Sequence, residues 1–459
     1  MVLFLSAAGW LATGAALSLL ASIKLHAPAF LATCAALTYG RVQHAAWNAL
    51  AFGFAVPAGL GVALWITARL SGTPLFGRRG IVVAAVLWNL GLAIGLVGIL
   101  AGDSTGVASL ELPLYATPIL LAAYLIMAVC GVFTFARRRA SEVYIAQWYL
   151  LGAFFLFPWL YASASLLAVA APLRGVLAAA AQIWFTHGLL TVHFGFIGLG
   201  ATFYFLPKLV GVPVQNRNLA VFGFWTLALF GGLGALQRGW GGPFPAWMLS
   251  SGIVGAALTA FPVLAVLMNL VPVLRGRNRT MPSPITLRFV TVGLWAYGLA
   301  GVLNVANSFA GLRRFTQFTL FPLALDYLTL LGFVSLAVLG AMYDLAPRLM
   351  RQPWPALSWA KYHFGLASLG SGVIVLAYGA GGVVHGLAMN DSSLPYFAVV
   401  KRYLPFAATG TLGWLLLLVG ACLLALNLAR LLAAQCDRVC LPAVRGWLRA
   451  AGAPAEEKA

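Results

Sequence analysis

The sequence predicts an all-α polytopic membrane protein of twelve transmembrane helices, and three observations predict it. Of 459 residues, 62% are apolar and 8% charged, with a mean hydropathy of +0.95; a soluble globule is about 45–50% apolar and about 25% charged. The apolar residues fall in runs near the roughly 20 that a helix needs to cross a bilayer. Lys and Arg gather at the ends of those runs, where they anchor helices to headgroups. So little polar surface excludes a soluble enzyme, a secreted disulfide scaffold, a coiled coil and a disordered chain. The net charge of +19 is no nucleic-acid footprint, because the basic residues are dispersed as anchors instead of forming a patch.

The first run, 3–23, ends at Lys24 and His26. No Lys or Arg precedes Lys24, so the basic segment of a secretory signal is missing and the run reads as a retained helix. The second, 46–68, follows Arg41 and His44 and stops at Arg69. Arg78 and Arg79 open the third, 80–101, and Asp103 closes it. The fourth, 113–136, starts at Pro113 and ends on Arg137, Arg138 and Arg139. The fifth, 145–171, gives way to Pro172 and Arg174, and the sixth, 175–205, stops before Pro207 and Lys208. Arg217 and Arg238 bracket the seventh, 218–237. Pro245 precedes the eighth, 246–273, which ends at Arg275. The ninth, 287–311, closes on Arg313 and Arg314; the tenth, 320–345, closes before Pro347 and Arg348. Lys361 opens the eleventh, 361–387, and Arg430 closes the twelfth, 405–430. Residues 1–435 thus read as one twelve-helix domain, and 436–459 as a short basic tail.

Loop charge orients the bundle. Connections after even-numbered spans, with the C-terminal tail, hold 20 Lys and Arg; those after odd-numbered spans hold 8. The richer side is cytoplasmic, which puts both termini inside. The five cysteines, Cys34, Cys130, Cys422, Cys436 and Cys440, make no disulfide framework. Cys436 and Cys440 read as idle thiols of the tail, with a metal or lipid site as the alternative. Fifty glycines suit close packing of membrane helices.

Five segments, taken in order, resemble subunit I of the haem-copper oxidases, closest to the cbb3-type branch. They are TYGRVQHAAWNALAFGF in span 2, WFTHGLLTVHFGFIGLGATFYFLPK in span 6, FWTLALFGGLGALQRGWGGPFPAW in span 7, LGFVSLAVLGAMYDLAPRL in span 10 and KYHFGLASLG in span 11. The resemblance implies that family's twelve-helix bundle, found in a bacterial inner membrane. It also implies haem b and copper held by imidazoles, which ligate both iron and copper. Laid on this chain without gaps, the family's span 2 haem ligand falls on Ala46, two residues after His44. Its copper pair in span 7 falls on Gln237 and Arg238, its span 10 pair on Leu325 and Tyr327, and its span 7 tyrosine on Gly231. His187 alone matches, as the relic of a copper ligand. His44 and His187 are therefore the only cofactor-binding candidates, and no cofactor is expected in this chain.

Asp326 lies between the two span 10 positions, which the sequence places near mid-span. A carboxylate in hydrocarbon costs several kcal/mol unless paired or wetted. Arg238 is one partner open to it, filling the vacated centre as a structural ion pair; Arg313 or Arg314 is another, and protonation the third course. His187 and His193 are six residues apart, about 600° at 100° per residue, so their rings face different ways. His26, His44, His363 and His385 read as interfacial imidazoles and Asp344 as an interfacial charge.

No catalytic residue of a soluble-enzyme type is found. The leading functional expectation is a cofactor-depleted, subunit-I-like structural subunit of a respiratory membrane complex. Its partners would be other integral-membrane and cytochrome c-type subunits, with membrane lipid and no nucleic acid. The alternatives are an oxidase or nitric-oxide-reductase-like subunit retaining partial haem or copper, and a transporter or metal-handling protein using the vacated cavity.

Overall fold

A computed structural model of the chain describes residues 1–171, 173–277, 284–436 and 438. Twelve helices are long and apolar enough to cross a membrane. They are α1 (Val2–His26), α2 (Tyr39–Ser71), α3 (Arg78–Ala101), α4 (Thr117–Ala136), α5 (Ile145–Ala170), α6 (Val176–Val210), α7 (Arg217–Gly239), α8 (Ala246–Arg275), α9 (Ile285–Ala306), α10 (Phe321–Met350), α11 (Leu357–Met389) and α12 (Tyr396–Gln435). Polar and glycine signals set several ends. Asn216 caps α7 by accepting from the Leu219 amide at 3.0 Å, satisfying a donor that the first turn leaves orphaned. Gly72 and Gly211 stop α2 and α6 at φ of 62° and 80°, the left-handed conformation glycine adopts without a Cβ penalty.

The expected runs and the observed helices agree in number and order, and differ in bounds at several ends, α2 beginning at Tyr39 and not at 46. Helix α9 stops at Ala306, not at 311, because Ser308 turns its hydroxyl back to Val305 and a separate short helix, Ala310–Thr316, follows. Helix α12 begins at Tyr396, nine residues before the expected start at 405, so Lys401 and Arg402 lie inside its first turns. Long basic side chains near a helix end reach back to the interface, which lets the helix run on. Of the expected tail, Cys436 is described and exposed, while Cys440 lies outside the described residues.

Three helices form the centre. In α2, α6 and α10, 89%, 94% and 83% of the most apolar eighteen-residue stretch is buried, against 33–44% in the other nine. A helix apolar on all sides is stable only when enclosed or in lipid, and here protein encloses these three. Around them, α11 and α12 form a long hairpin, with α12 also packed on α1. At their crossing, a Cβ on Gly370 or on Gly413 would fall 2.8 Å from the other's carbonyl oxygen. The close approach therefore requires glycine on both sides. The same three central helices carry π-helical segments, Ala49–Ala55, Gly188–His193 and Leu328–Ser335, and a fourth, Leu166–Ala170, ends α5. Such i→i+5 turns are rare and occur mostly at functional sites.

Candidate functional site

The polar groups of the central helices collect toward the end of the bundle that carries the connections after odd-numbered spans. Arg238 closes α7 there, within a 3₁₀ segment, Gly234–Gly239. Asp326 is the sixth residue of α10, in its second turn and not at mid-span as the sequence reading placed it. The two meet as a bidentate pair: Arg238 Nη2 donates to Asp326 Oδ1 at 2.5 Å and Nη1 to Oδ2 at 3.1 Å. Fork-to-carboxylate bonding of this kind is the strongest form of ion pair. The other two arginines open to Asp326 go elsewhere. Arg314 lies over the Phe315 ring.

Arg313 is fully buried. Its Nε donates to Asn307 O at 2.8 Å, and its two terminal nitrogens donate to the carbonyl oxygen and side-chain Oε1 of Gln237. Burial, and then the Arg238 guanidinium, lower its pKa to about 10, which leaves it charged at neutral pH. The three oxygens that accept from it all belong to neutral groups. Gln317 Nε2 donates to Arg238 O at 3.1 Å, so the 307–317 connection fastens down the segment that carries Arg238.

His187 is buried and lines a cavity of about 50 Å³ with Thr191, Arg238, Tyr297, Asn304 and Leu325. Its Nδ1 bonds Thr191 Oγ1 at 3.3 Å, while its Nε2 has no partner. The Tyr297 hydroxyl is likewise buried and unpartnered. Asn304 Oδ1 accepts from Gln237 Nε2 at 3.2 Å. Sequence reasoning missed Tyr297 and Asn304, because neither departs from an ordinary polar residue on a membrane helix.

His193 does not join His187. It packs against the rings of Phe157, Tyr124 and Phe194 at 5.1, 6.0 and 5.2 Å between centroids. The 100° step behind the expected rotation does not apply, since residues 188–193 are π-helical, yet the two rings have separate surroundings. His363 Nδ1 bonds Tyr343 OH at 2.8 Å, and His26 Nε2 bonds Thr411 Oγ1 at 3.1 Å. Asp344 pairs with Arg348 one turn on, at 2.7 Å.

Tyr327, immediately before the π-segment of α10, sits in an aromatic cluster. Its ring lies 5.0 Å from Trp414, 6.2 Å from Tyr378 and 6.4 Å from Trp47, and Gln43 donates to its hydroxyl at 3.4 Å. Such edge-on and tilted pairs add to plain area burial.

His44 lies at the start of α2, half-buried, on the backbone that serves a second polar cluster. Asn48 Nδ2 donates both to His44 O at 2.8 Å and to Glu111 Oε2 at 2.9 Å. Glu111, in the connection after α3, also accepts from the Ser109 amide at 2.8 Å and is almost fully buried. Burial raises its pKa; the bonds from Asn48 and Ser109, and then the nearby His44, oppose that. Its only sequence signal was an acid in a connection without Lys or Arg. Among the described residues, no three of His, Cys, Asp and Glu group as metal ligands would.

A family model, cytochrome c and quinol oxidase polypeptide I, matches residues 1–416. The chain is 24% identical to the cbb3-type cytochrome c oxidase subunit CcoN1 of Stutzerimonas stutzeri, covering 79% of each chain. It is 23% identical to cytochrome c oxidase subunit 1 of Rhodobacter capsulatus, over 87% of this chain and 78% of that one. In shape it is similar to a chain of a haem-copper terminal oxidase dimer solved by cryo-electron microscopy. The TM-score is 0.70 at 14% identity, covering 93% of this chain and 84% of the other.

Proposed function

Because the chain belongs to the cytochrome c and quinol oxidase polypeptide I family, a family of multi-pass membrane proteins, we propose that it is a cofactor-depleted structural subunit of a respiratory membrane complex. The observation that carries this is how the former ligand positions are used. Arg238 is spent on Asp326, and a guanidinium, always protonated, has no lone pair to give copper. Tyr327 is packed among Trp47, Tyr378 and Trp414, and its phenol is no imidazole. Leu325 and Ala46 have no donor atom. The cavity beside His187 holds about 50 Å³, whereas sites for organic ligands run to roughly 300 Å³ or more. On this reading neither haem nor copper fits, and no step of oxygen chemistry runs through this chain.

What the chain supplies is then a surface. Its three central helices keep the family's packing, so the outer helices present a membrane face on which integral-membrane and cytochrome c-type subunits assemble. The relatives above are bacterial oxidase subunits, which supports placement in a bacterial inner membrane, with both termini cytoplasmic. The test is purification in mild detergent, followed by a reduced-minus-oxidised spectrum, metal analysis and identification of co-purifying chains. Expected are cytochrome c-type partners, with haem and copper absent once those partners are stripped. A stoichiometric b-type band or bound copper in the stripped chain would overturn the reading; substituting His44 and His187 in turn would then identify the ligand.

A further inference from the structure

We propose that the cavity between His187 and Tyr297 is a binding site for one small monovalent inorganic anion, of halide or nitrite size. The proposal rests on the reading that copper does not occupy this place. Three observations carry it.

The first is charge. Arg238, which lines the cavity, and Asp326 are part-buried and neutralise each other. Arg313 is fully buried and bonds only neutral oxygens, those of Gln237 and Asn307. Arg238, Asp326 and Arg313 together therefore carry one net positive charge, in a medium where such a charge is costly without a counter-ion.

The second is the set of idle donors. The His187 Nε2 and the Tyr297 hydroxyl are buried, line the cavity and bond nothing. Natural structures leave few such groups unsatisfied, and each calls for an occupant. Asn304 has its Oδ1 engaged by Gln237 Nε2, which leaves its amide hydrogens for the cavity. Phenol O–H and amide N–H, with the imidazole Nε2 in the tautomer that carries its proton there, line one cavity beside a guanidinium and make a donor set that matches an anion.

The third is size and wall. The cavity of about 50 Å³ holds one or a few atoms, since a single water needs at least about 10–15 Å³. Its remaining wall includes Leu325, Val263 and Phe333, which suits a weakly hydrated ion over a strongly hydrated one. Intramembrane ionisable residues that line a cavity are functional sites by default.

Bromide is the probe. The full chain in detergent, exchanged into gluconate, is titrated with sodium bromide at constant ionic strength while its thermal midpoint is followed, and its metal content is measured in the same preparation. Expected is a saturable rise in midpoint, with bromide binding weakened about tenfold in Tyr297→Phe, since a hydrogen bond to an ion contributes on that order. Because a variant can misfold, wild-type crystals soaked in bromide supply a second reading: an anomalous peak beside His187 Nε2 and Tyr297 OH. A midpoint that does not move as bromide replaces gluconate at constant ionic strength, or a cavity holding only water in the soaked crystals, overturns the anion site and leaves the proposed function standing. Stoichiometric copper at His187 overturns both.

Discussion

Arg238 and Asp326 are each expensive to embed alone, so their coupling is measurable. Breaking a buried pair by removing one partner costs about 3–5 kcal/mol, whereas exchanging both for apolar residues can be nearly neutral. Their side chains remain 23% and 14% exposed, which puts the expected loss at the low end, about 3 kcal/mol. Asp326→Asn and Arg238→Met should each lower stability by that order in detergent, and the double variant should recover most of it; strictly additive losses would refute the coupling. Glu111 gives a second test with a defined sign. Its folded pKa is raised above the ordinary 4.5. Its contribution is therefore fully present below pH 4.5 and lost as pH rises through the folded value. Glu111→Gln, which keeps an acceptor for Ser109 and offers a donor to the idle Asn48 Oδ1, should raise the thermal midpoint at pH 7–8. That gain should vanish near pH 4.5, and a midpoint lowered equally at both pH values would sink the idea. At this scale the sequence made Arg238 and Asp326 legible, because charges stand out in hydrocarbon. It could not show that Arg313 is buried or that Tyr297 and Asn304 share a cavity with His187, since those depend on helix rotation.

Helix number and order were legible from hydropathy because a membrane allows few alternatives to a twenty-residue apolar helix. The π-segments were not. Over six to eight residues an i→i+5 register hardly changes the apolar pattern, since α2, α6 and α10 are apolar on every face. The device that fixes Arg238 was hidden in the same way, among fifty glycines. The 3₁₀ segment Gly234–Gly239 lies against two glycines of α8. A Cβ on Gly255 would meet the Gly234 amide nitrogen at 2.8 Å, and one on Gly252 would collide with the Gln237 amide. Neither contact can yield, because both are backbone. Gly252→Ala should therefore push this segment away from α8, at about 1–3 kcal/mol of overpacking, and weaken the Arg238–Asp326 bond with it. Gly9→Ala, with nothing within 4 Å of its Cβ, is the control. Equal stability of the two variants would show that α8 does not hold the segment.

For the molecule as a whole, the two ends of the bundle have different work. The Arg238, Arg313, His187 and Glu111 clusters all lie toward the end with odd-numbered connections, which holds 8 of the 28 Lys and Arg. The other end holds 20, including Arg137, Arg138 and Arg139 after α4. Positive residues in short loops resist translocation, so the even end should face the cytoplasm and the buried polar clusters should lie in the outer half of the membrane. The argument is sensitive to span count: one helix too many or too few would exchange loops between the two sums and erase the asymmetry. Twelve spans, an even number, should then put both termini on the cytoplasmic side. A reporter active only in the cytoplasm, fused after Arg139, should be active, as should one fused after Arg351. The same reporter in the connection carrying Glu111, or after Arg314, should be silent, and a periplasm-specific reporter should give the complement. Activity on the wrong side at Arg139 would invert the bundle, turning the His187 cavity toward the cytoplasm and removing any route for an external anion to reach it.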